Sequence, residues 1–298
     1  MLRFGFLLLV LASPVFGQTD SLRLDLSQPA DAVKALQKMQ CSLNDAEPAV
    51  YYFEGSVFSR VPGERDRKLF TYEAFNIRAC QSVQDEEQGY GYQMVSREIL
   101  LYTDPDSGEI LRTWLNPWTR EELDVIHVAN DPVNTRVPIW AMGRRGPFDL
   151  GATIIDGKGW LRFEVPVFYA NPLGGAYQEY VGGTYQSIEI FNFFFDEEDL
   201  LGPSATAGDT FIAWNRVSKW LPWMKMNDRA GYLVFSGSGK RIGAWDELPA
   251  VVKDEVLANY PAYTEPPPVS DTRPNATSWT VFKQYIDAKR AQTGRANE

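Results

Sequence analysis

The feature that most limits what this chain can fold into is its middle. From Ala49 to Trp245 one β-type run follows another, with no stripe of helical period between them. AVYYFEGSVFSRV (49–61) and KLFTYEAFNIRACQSV (68–83) are rich in β-branched and aromatic residues, and PGERDR separates them. YQMVSREILLYT (92–103) runs into the turn formers of DPDSG and then EILRTWL, the pattern of a hairpin. ELDVIHVAN (122–130) reads as one strand, and ATIID and WLRFEVPVFY flank a tight turn at Asp156–Gly159. TYQSIEIFNFFF and DTFIAWNRVSKW are two more strands, and YLVFSGSGKRIGAW is expected to fold back as a hairpin around Gly237–Gly239. Nine or ten strands in succession favour an antiparallel sheet, sandwich or barrel.

Helical patterns occur only towards the ends. PADAVKALQKMQ (29–40) carries Ala32, Val33, Leu36 and Met39 on one stripe, with Ser27 as the expected cap and Pro29 in the first turn. DELPAVVKDEVLANY (246–260) and SWTVFKQYIDAKR (278–290, capped by Ser278) lie either side of the proline-rich strap EPPPVSDTRP. Several strands are apolar on both faces. In YQSIEIFNFFF, Tyr185, Glu189, Phe191 and Phe193 alternate with Ile188, Ile190 and Phe194. A sheet with one wet face does not read this way, so either both faces are covered or one lines an interior that holds polar groups. The fold expected is mainly β: an antiparallel β-barrel, calycin-like, with short helices at the N- and C-termini plugging its ends.

The first seventeen residues are read separately. Arg3, an apolar run from Phe4 to Ala12, the break at Pro14 and Val15-Phe16-Gly17 before Gln18 have the layout of a cleaved secretory signal. The run is shorter than the roughly 20 residues of a spanning helix. The organisation expected is a signal peptide over 1–17 and a single domain over 18–298, secreted or periplasmic. The formal charge is −10, and losing Arg3 leaves 28 Lys+Arg against 39 Asp+Glu, about −11. Such a chain repels nucleic acid and anionic membrane surfaces, so neither is expected as a partner. In an oxidising compartment Cys41 and Cys80 can join, or remain two small buried side chains. Two thiols and one histidine do not make a four-ligand Cys/His zinc site.

His127, the single histidine, stands in HVANDPVN. An imidazole exchanges protons near neutral pH, and Asp131 or Asn130 can orient it as a catalytic base. The structural alternative is an imidazole bonded to backbone that never titrates. Asn130, Asp131 and Asn134 equally suit a turn around Pro132 or a polar rim at a cavity mouth. Glu189 lies mid-strand on the face of Tyr185 and Phe191, and Glu98 on the face of Met94, Leu100 and Tyr102. A carboxyl among aromatics is held above its usual pKa and can serve as a general acid, unless an arginine such as Arg97, Arg112 or Arg216 neutralises it. Trp114, Trp118, Trp220 and Trp223, set beside Pro117 and Pro222, either line a ligand wall or fill core. No Walker loop, GxGxxG, GxSxG or HExxH is present, and no cofactor is implied. GGAYQEYVGG (174–183) lacks the lysine and helix start of a phosphate cradle and reads as a flap or wide turn.

NPWT (116–119), HVANDPVN, NPLGGAYQEYVGGTYQSIEIFNFF, WLPWMKMNDRAGYLVF and NATSWTVF, in this order, together with KMQCSLNDAEPAVYYFEGSVFSRVPGE near the start, resemble a bacterial and fungal family known only as a domain of unknown function, number eighteen thirty-eight. The resemblance runs from about Asp25 to Ile286. It implies one domain, often exported, and no reaction. The function expected from the residues is binding of an apolar or aromatic small organic molecule, with cofactor-free lyase- or isomerase-type acid–base chemistry by His127, Glu189 or Glu98 and with Tyr102 and Tyr185 as hydrogen-bonding partners. A carrier without turnover and a carbohydrate-active lyase or hydrolase with a tryptophan-lined groove are the alternatives.

Overall fold

The computed structural model describes residues 23–170, 177 and 183–296. The leader expected at 1–17 and most of the glycine-rich stretch 174–183 lie outside them. The described chain is mainly β. Helix α1 (Pro29–Gln40) comes first, then β1 (Ala49–Arg60), β2 (Arg67–Asp85) and β3 (Gly89–Thr103). Short strands follow: β4 (Thr113–Leu115), β5 (Glu122–Asp124), β6 (Val128–Asn130), β7 (Ile139–Trp140), β8 (Met142–Gly143), β9 (Gly146–Pro147) and β10 (Thr153–Ile155). The long β11 (Lys158–Ala170) and β12 (Thr184–Asp196), helix α2 (Glu197–Leu201), β13 (Thr210–Ser218) and β14 (Tyr232–Ile242) come next. Helices α3 (Ala250–Asn259) and α4 (Ser278–Ala296) end the chain.

One antiparallel sheet dominates, in the order β10-β11-β12-β13-β14-β1-β2-β3-β6, with β7 also on the β3 edge. No pairing joins β10 to β6 or β7 among the described residues, so the path is open, where a closed calycin-like barrel was expected. The sheet nevertheless curls strongly. Glu98 on β3 and Glu189 on β12 are five strands apart, about 24 Å in a flat sheet, yet they line one cavity. Glycines permit this. A Cβ at Gly55 or Gly237 would run into the Tyr72 phenol, and one at Gly239 into the Phe53 ring. The SGSG stretch is therefore the floor of a continuous strand, with β14 paired to β1 from Val50–Ile242 to Arg60–Tyr232. It was expected to be a hairpin because glycine signals a turn and a close approach alike.

Two other expectations change for one reason, competition for the edge of β3. The DPDSG turn forms, with Asp104 accepting from the amides of Asp106 (3.0 Å) and Ser107 (2.8 Å), but only a single bridge, Thr103 to Ile110, follows it. The β3 edge is already held by β6 and β7, so Thr113–Leu115 pairs with Glu122–Asp124 instead. ELDVIHVAN, expected as one strand, is accordingly split into β5 and β6, with His127 in the connection just before β6. At α1 the cap position is Gln28, not Ser27, whose amide is taken by Asp25 at 2.9 Å.

Apolar side chains on the concave face form the main core. At one end α1 packs against β3, with Tyr90 and Tyr92 donating to Gln37 (2.6 Å) and Gln40 (2.7 Å). A Cys41–Cys80 disulfide ties that end of α1 to β2. At the other end the aromatic group of Phe70, Tyr102, Trp114 and Trp223 fills the bore. A second core lies on the convex face, where Val252 and Val256 of α3 cover Val50, Phe75, Ile77, Ile99 and Leu101. Helix α4 packs on β6, while its Trp279 meets Tyr185 of β12 edge-on at 4.8 Å. It thus spans the gap that the open sheet leaves.

Candidate functional site

Between helix α1 and the aromatic plug the inward faces turn polar. Along β2 the inward residues run Phe70, Tyr72, Ala74, Asn76, Arg78, Cys80; along β3 they run Tyr102, Leu100, Glu98, Ser96. Glu189 on β12 pairs in register with Arg216 on β13. Asn76, Arg78, Glu98, Glu189 and Arg216 line one cavity of about 200 Å³, whose remaining wall includes Phe53, Tyr72, Phe191 and Trp214. Helix α4 contributes Ser278.

The charged groups fall into different surroundings. Arg216 donates to the Tyr185 hydroxyl at 2.5 Å and lies 3.7 Å from Glu189. Burial works against its charge, but Tyr185, Glu189 and Tyr102 hold the guanidinium above its ordinary pKa. Glu189 also accepts from the Trp214 indole at 3.2 Å and is 27% exposed, so solvent reaches it. Glu98 lies deeper and accepts from the Asn130 amide at 2.6 Å. Burial holds its carboxyl above the usual range against the pull of Asn130, and the Glu189 charge pushes the same way. Arg78 donates from Nε to Asn76 at 2.5 Å and stacks on the Tyr51 ring at 4.8 Å. The Tyr72 hydroxyl and Asn130 Oδ1 are buried with no hydrogen-bond partner among the described residues.

The cavity therefore brings together Glu98 and Glu189, with Tyr185 and Asn130 at their partners. It does not include His127. That imidazole is 7% exposed, stacks on Tyr102 at 6.0 Å and accepts from the Tyr102 amide through Nδ1 at 3.1 Å. The β3–β6 ladder ends at Leu100–Val128, and His127 satisfies the next donor along β3. Burial lowers its pKa to about 4. Asp131 is held by Arg97 (3.0 Å) and Arg273 (2.7 Å). Asn134 accepts from Ser96 (3.1 Å) and exchanges bonds with Asn275 (3.0 and 2.8 Å). NDPVN is thus the latch that fastens the proline-rich strap to the sheet, around a cis Asp131–Pro132 bond.

The tryptophans also lie elsewhere. Trp114, Trp118, Trp220 and Trp223 pack on one another, with centroids 5.2–6.5 Å apart, and Trp220 and Trp223 are buried. They plug the end of the curled sheet, each ring edge-on to the next. Tyr102 belongs to the same plug. Arg78, Asn76, Tyr72 and Trp214 were not singled out from sequence. The available signal was the parity of β2, which places Asn76 and Arg78 on the inward face of an otherwise apolar strand.

Residues 46–286 match the family model described as protein of unknown function (DUF1838). No curated protein matches the chain. Among solved structures, the crystal structure of Ail, the attachment invasion locus protein of Yersinia pestis, is similar at 9% identity, over 66% of this chain and 99% of that one. Its TM-score of 0.18 carries no structural argument.

Proposed function

The chain belongs to the DUF1838 family, and from that premise we propose that it is an exported protein that holds one small ring-bearing organic molecule in the cavity of its curled sheet. The observation that carries this reading is a polar cluster of two arginines and two glutamates set within aromatic walls, with about 200 Å³ of space between them. Binding sites combine apolar walls with a few convergent polar groups. Drug-sized sites occupy roughly 300–1,000 Å³, so this one suits a smaller ligand. The sheet with α4 across its gap works here as a calycin-like barrel does, sealed at one end by α1 and at the other by the tryptophans. Export is supported by the leader pattern of residues 1–17 and by the Cys41–Cys80 disulfide, a bond of oxidising compartments.

Native mass spectrometry of the exported protein tests both parts. The mature chain should begin at Gln18 and carry a co-purified small molecule, and Trp214→Ala should lose it. A ligand-free protein whose tryptophan emission responds to no small ring compound sinks the reading.

Catalysis is the second reading, favoured by the contrast between the two carboxyl groups. Glu98 is buried and raised, while Glu189 is partly solvated and ion-paired. Such a split sets up a proton donor and a proton acceptor in one site. Glu98 then gives a proton to the ligand and Glu189 takes one, without a cofactor and without His127. Glu98→Gln and Glu189→Gln should each slow conversion of the bound molecule about a hundredfold while it still binds. Recovery of the molecule chemically unchanged after prolonged incubation makes the protein a carrier.

A further inference from the structure

Among the described residues, the ion pairs of the main sheet leave out Arg78 on β2 and Arg241 on β14. Arg216 has Glu189 at 3.7 Å, Arg97 has Asp131 at 3.0 Å, and Arg112 has Glu255 at 2.7 Å. Arg78 lines the same cavity as Arg216, yet among the described residues no carboxylate stands at ion-pair distance from it. Its Nε is spent on Asn76, and its face lies on the Tyr51 ring. Those contacts fix the plane of the guanidinium, and among the described residues its terminal nitrogens make no hydrogen bond. Arg241, whose guanidinium donates to the Lys38 and Cys41 carbonyls, is a second cation close enough to oppose its charge. Glu98 is the nearest candidate counter-charge, but it is engaged by Asn130 at 2.6 Å.

A buried cation is costly unless an anion meets it. We propose that the α1 side of the cavity is a carboxylate subsite: the terminal nitrogens of Arg78 grip the carboxylate of a small ring-bearing organic acid, whose ring lies between Phe53, Tyr72 and Trp214. The inference rests on the reading that the cavity holds a small molecule, and it names the class. A planar guanidinium held on edge presents two parallel donors, the geometry that a carboxylate matches. Charge fits as well: Arg216 has Glu189 at 3.7 Å and Glu98 is engaged by Asn130 at 2.6 Å, so Arg78 is the cation of the cavity that no carboxylate meets at ion-pair distance among the described residues.

The test uses matched pairs on the mature, disulfide-intact protein: benzoate against benzamide, and cyclohexanecarboxylate against its amide. Binding is followed by saturation-transfer NMR and calorimetry at neutral pH. The acids should bind about tenfold or more tighter than their amides. Arg78→Leu should cut that preference to below about twofold, and Arg78→Lys should fall between. Equal binding of acid and amide to the natural protein, or a preference that survives Arg78→Leu, overturns the subsite but leaves the cavity reading standing. Failure of both acids and amides to bind overturns the two together. The comparison on the natural protein is decisive on its own if Arg78→Leu does not fold.

Discussion

His127 offers a direct measurement, because it is the only imidazole in the chain. Burial lowers its pKa from 6.5 to about 4. Between those values the unfolded chain binds a proton that the folded protein refuses. Stability therefore rises with pH across this window; the contribution is fully present above the unfolded pKa and is lost as pH falls through the folded one. Linkage with these two values gives a loss of about 2 kcal/mol between about pH 7.5 and pH 5, and about 3 kcal/mol by pH 4. Carboxylates titrate in the lower part of the same range, so the measurement is a difference. His127→Asn places an amide oxygen near Nδ1, keeps an acceptor for the Tyr102 amide, and does not titrate. Urea denaturation of both proteins at the two pH values should show the natural one losing about 2 kcal/mol more. Long-range nitrogen–proton NMR should show a neutral imidazole down to below pH 5, with Nε2 carrying the hydrogen. An imidazole titrating near 6.5, or equal pH slopes for the two proteins, would refute the assignment of His127 as a buried backbone acceptor and reopen it as a catalytic base.

Three further outcomes are expected. The Cys41–Cys80 bond closes a loop of sequence separation 39, and its removal as Cys41→Ala/Cys80→Ala should cost about 4 kcal/mol by loop entropy; a loss below about 1 kcal/mol in urea titrations contradicts this. Gly237→Val forces a side chain into the Tyr72 phenol and to within 2.5 Å of the Glu54 carbonyl, so it should destabilise by about 1–3 kcal/mol and push the Tyr72 ring into the cavity, and undiminished fragment binding by a folded variant argues against that floor. Trp223→Ala removes the centre of the aromatic plug; about 3–5 kcal/mol of stability should go while benzoate affinity stays within about twofold, whereas selective loss of binding at unchanged stability places the ligand at the tryptophans.

The sequence by itself determined the class of the fold. The succession of β-rich runs with helices at the ends fixes a mainly antiparallel protein, because strand period and turn chemistry are local properties that each segment carries alone. Apolar residues on both faces of TYQSIEIFNFFF left open two covered faces or an interior with polar groups; the second core lies under α3 on other strands and Phe194 stays 46% exposed, while Glu98 and Glu189 were legible from parity as carboxyls on the aromatic-bearing faces that line the cavity. Closure was not legible. Whether a curled sheet seals strand to strand or leaves a gap for α4 depends on edges separated by most of the chain. The roles of polar side chains were decided by tertiary structure too. His127 and Glu98 are both polar residues among apolar neighbours, and only the end of the β6 ladder makes one a backbone acceptor while the curl of the sheet sets the other beside a cavity. The tryptophans were ambiguous for the same reason: a flat ring packs equally well on another ring or on a ligand, and what lies opposite is set by contacts between distant residues.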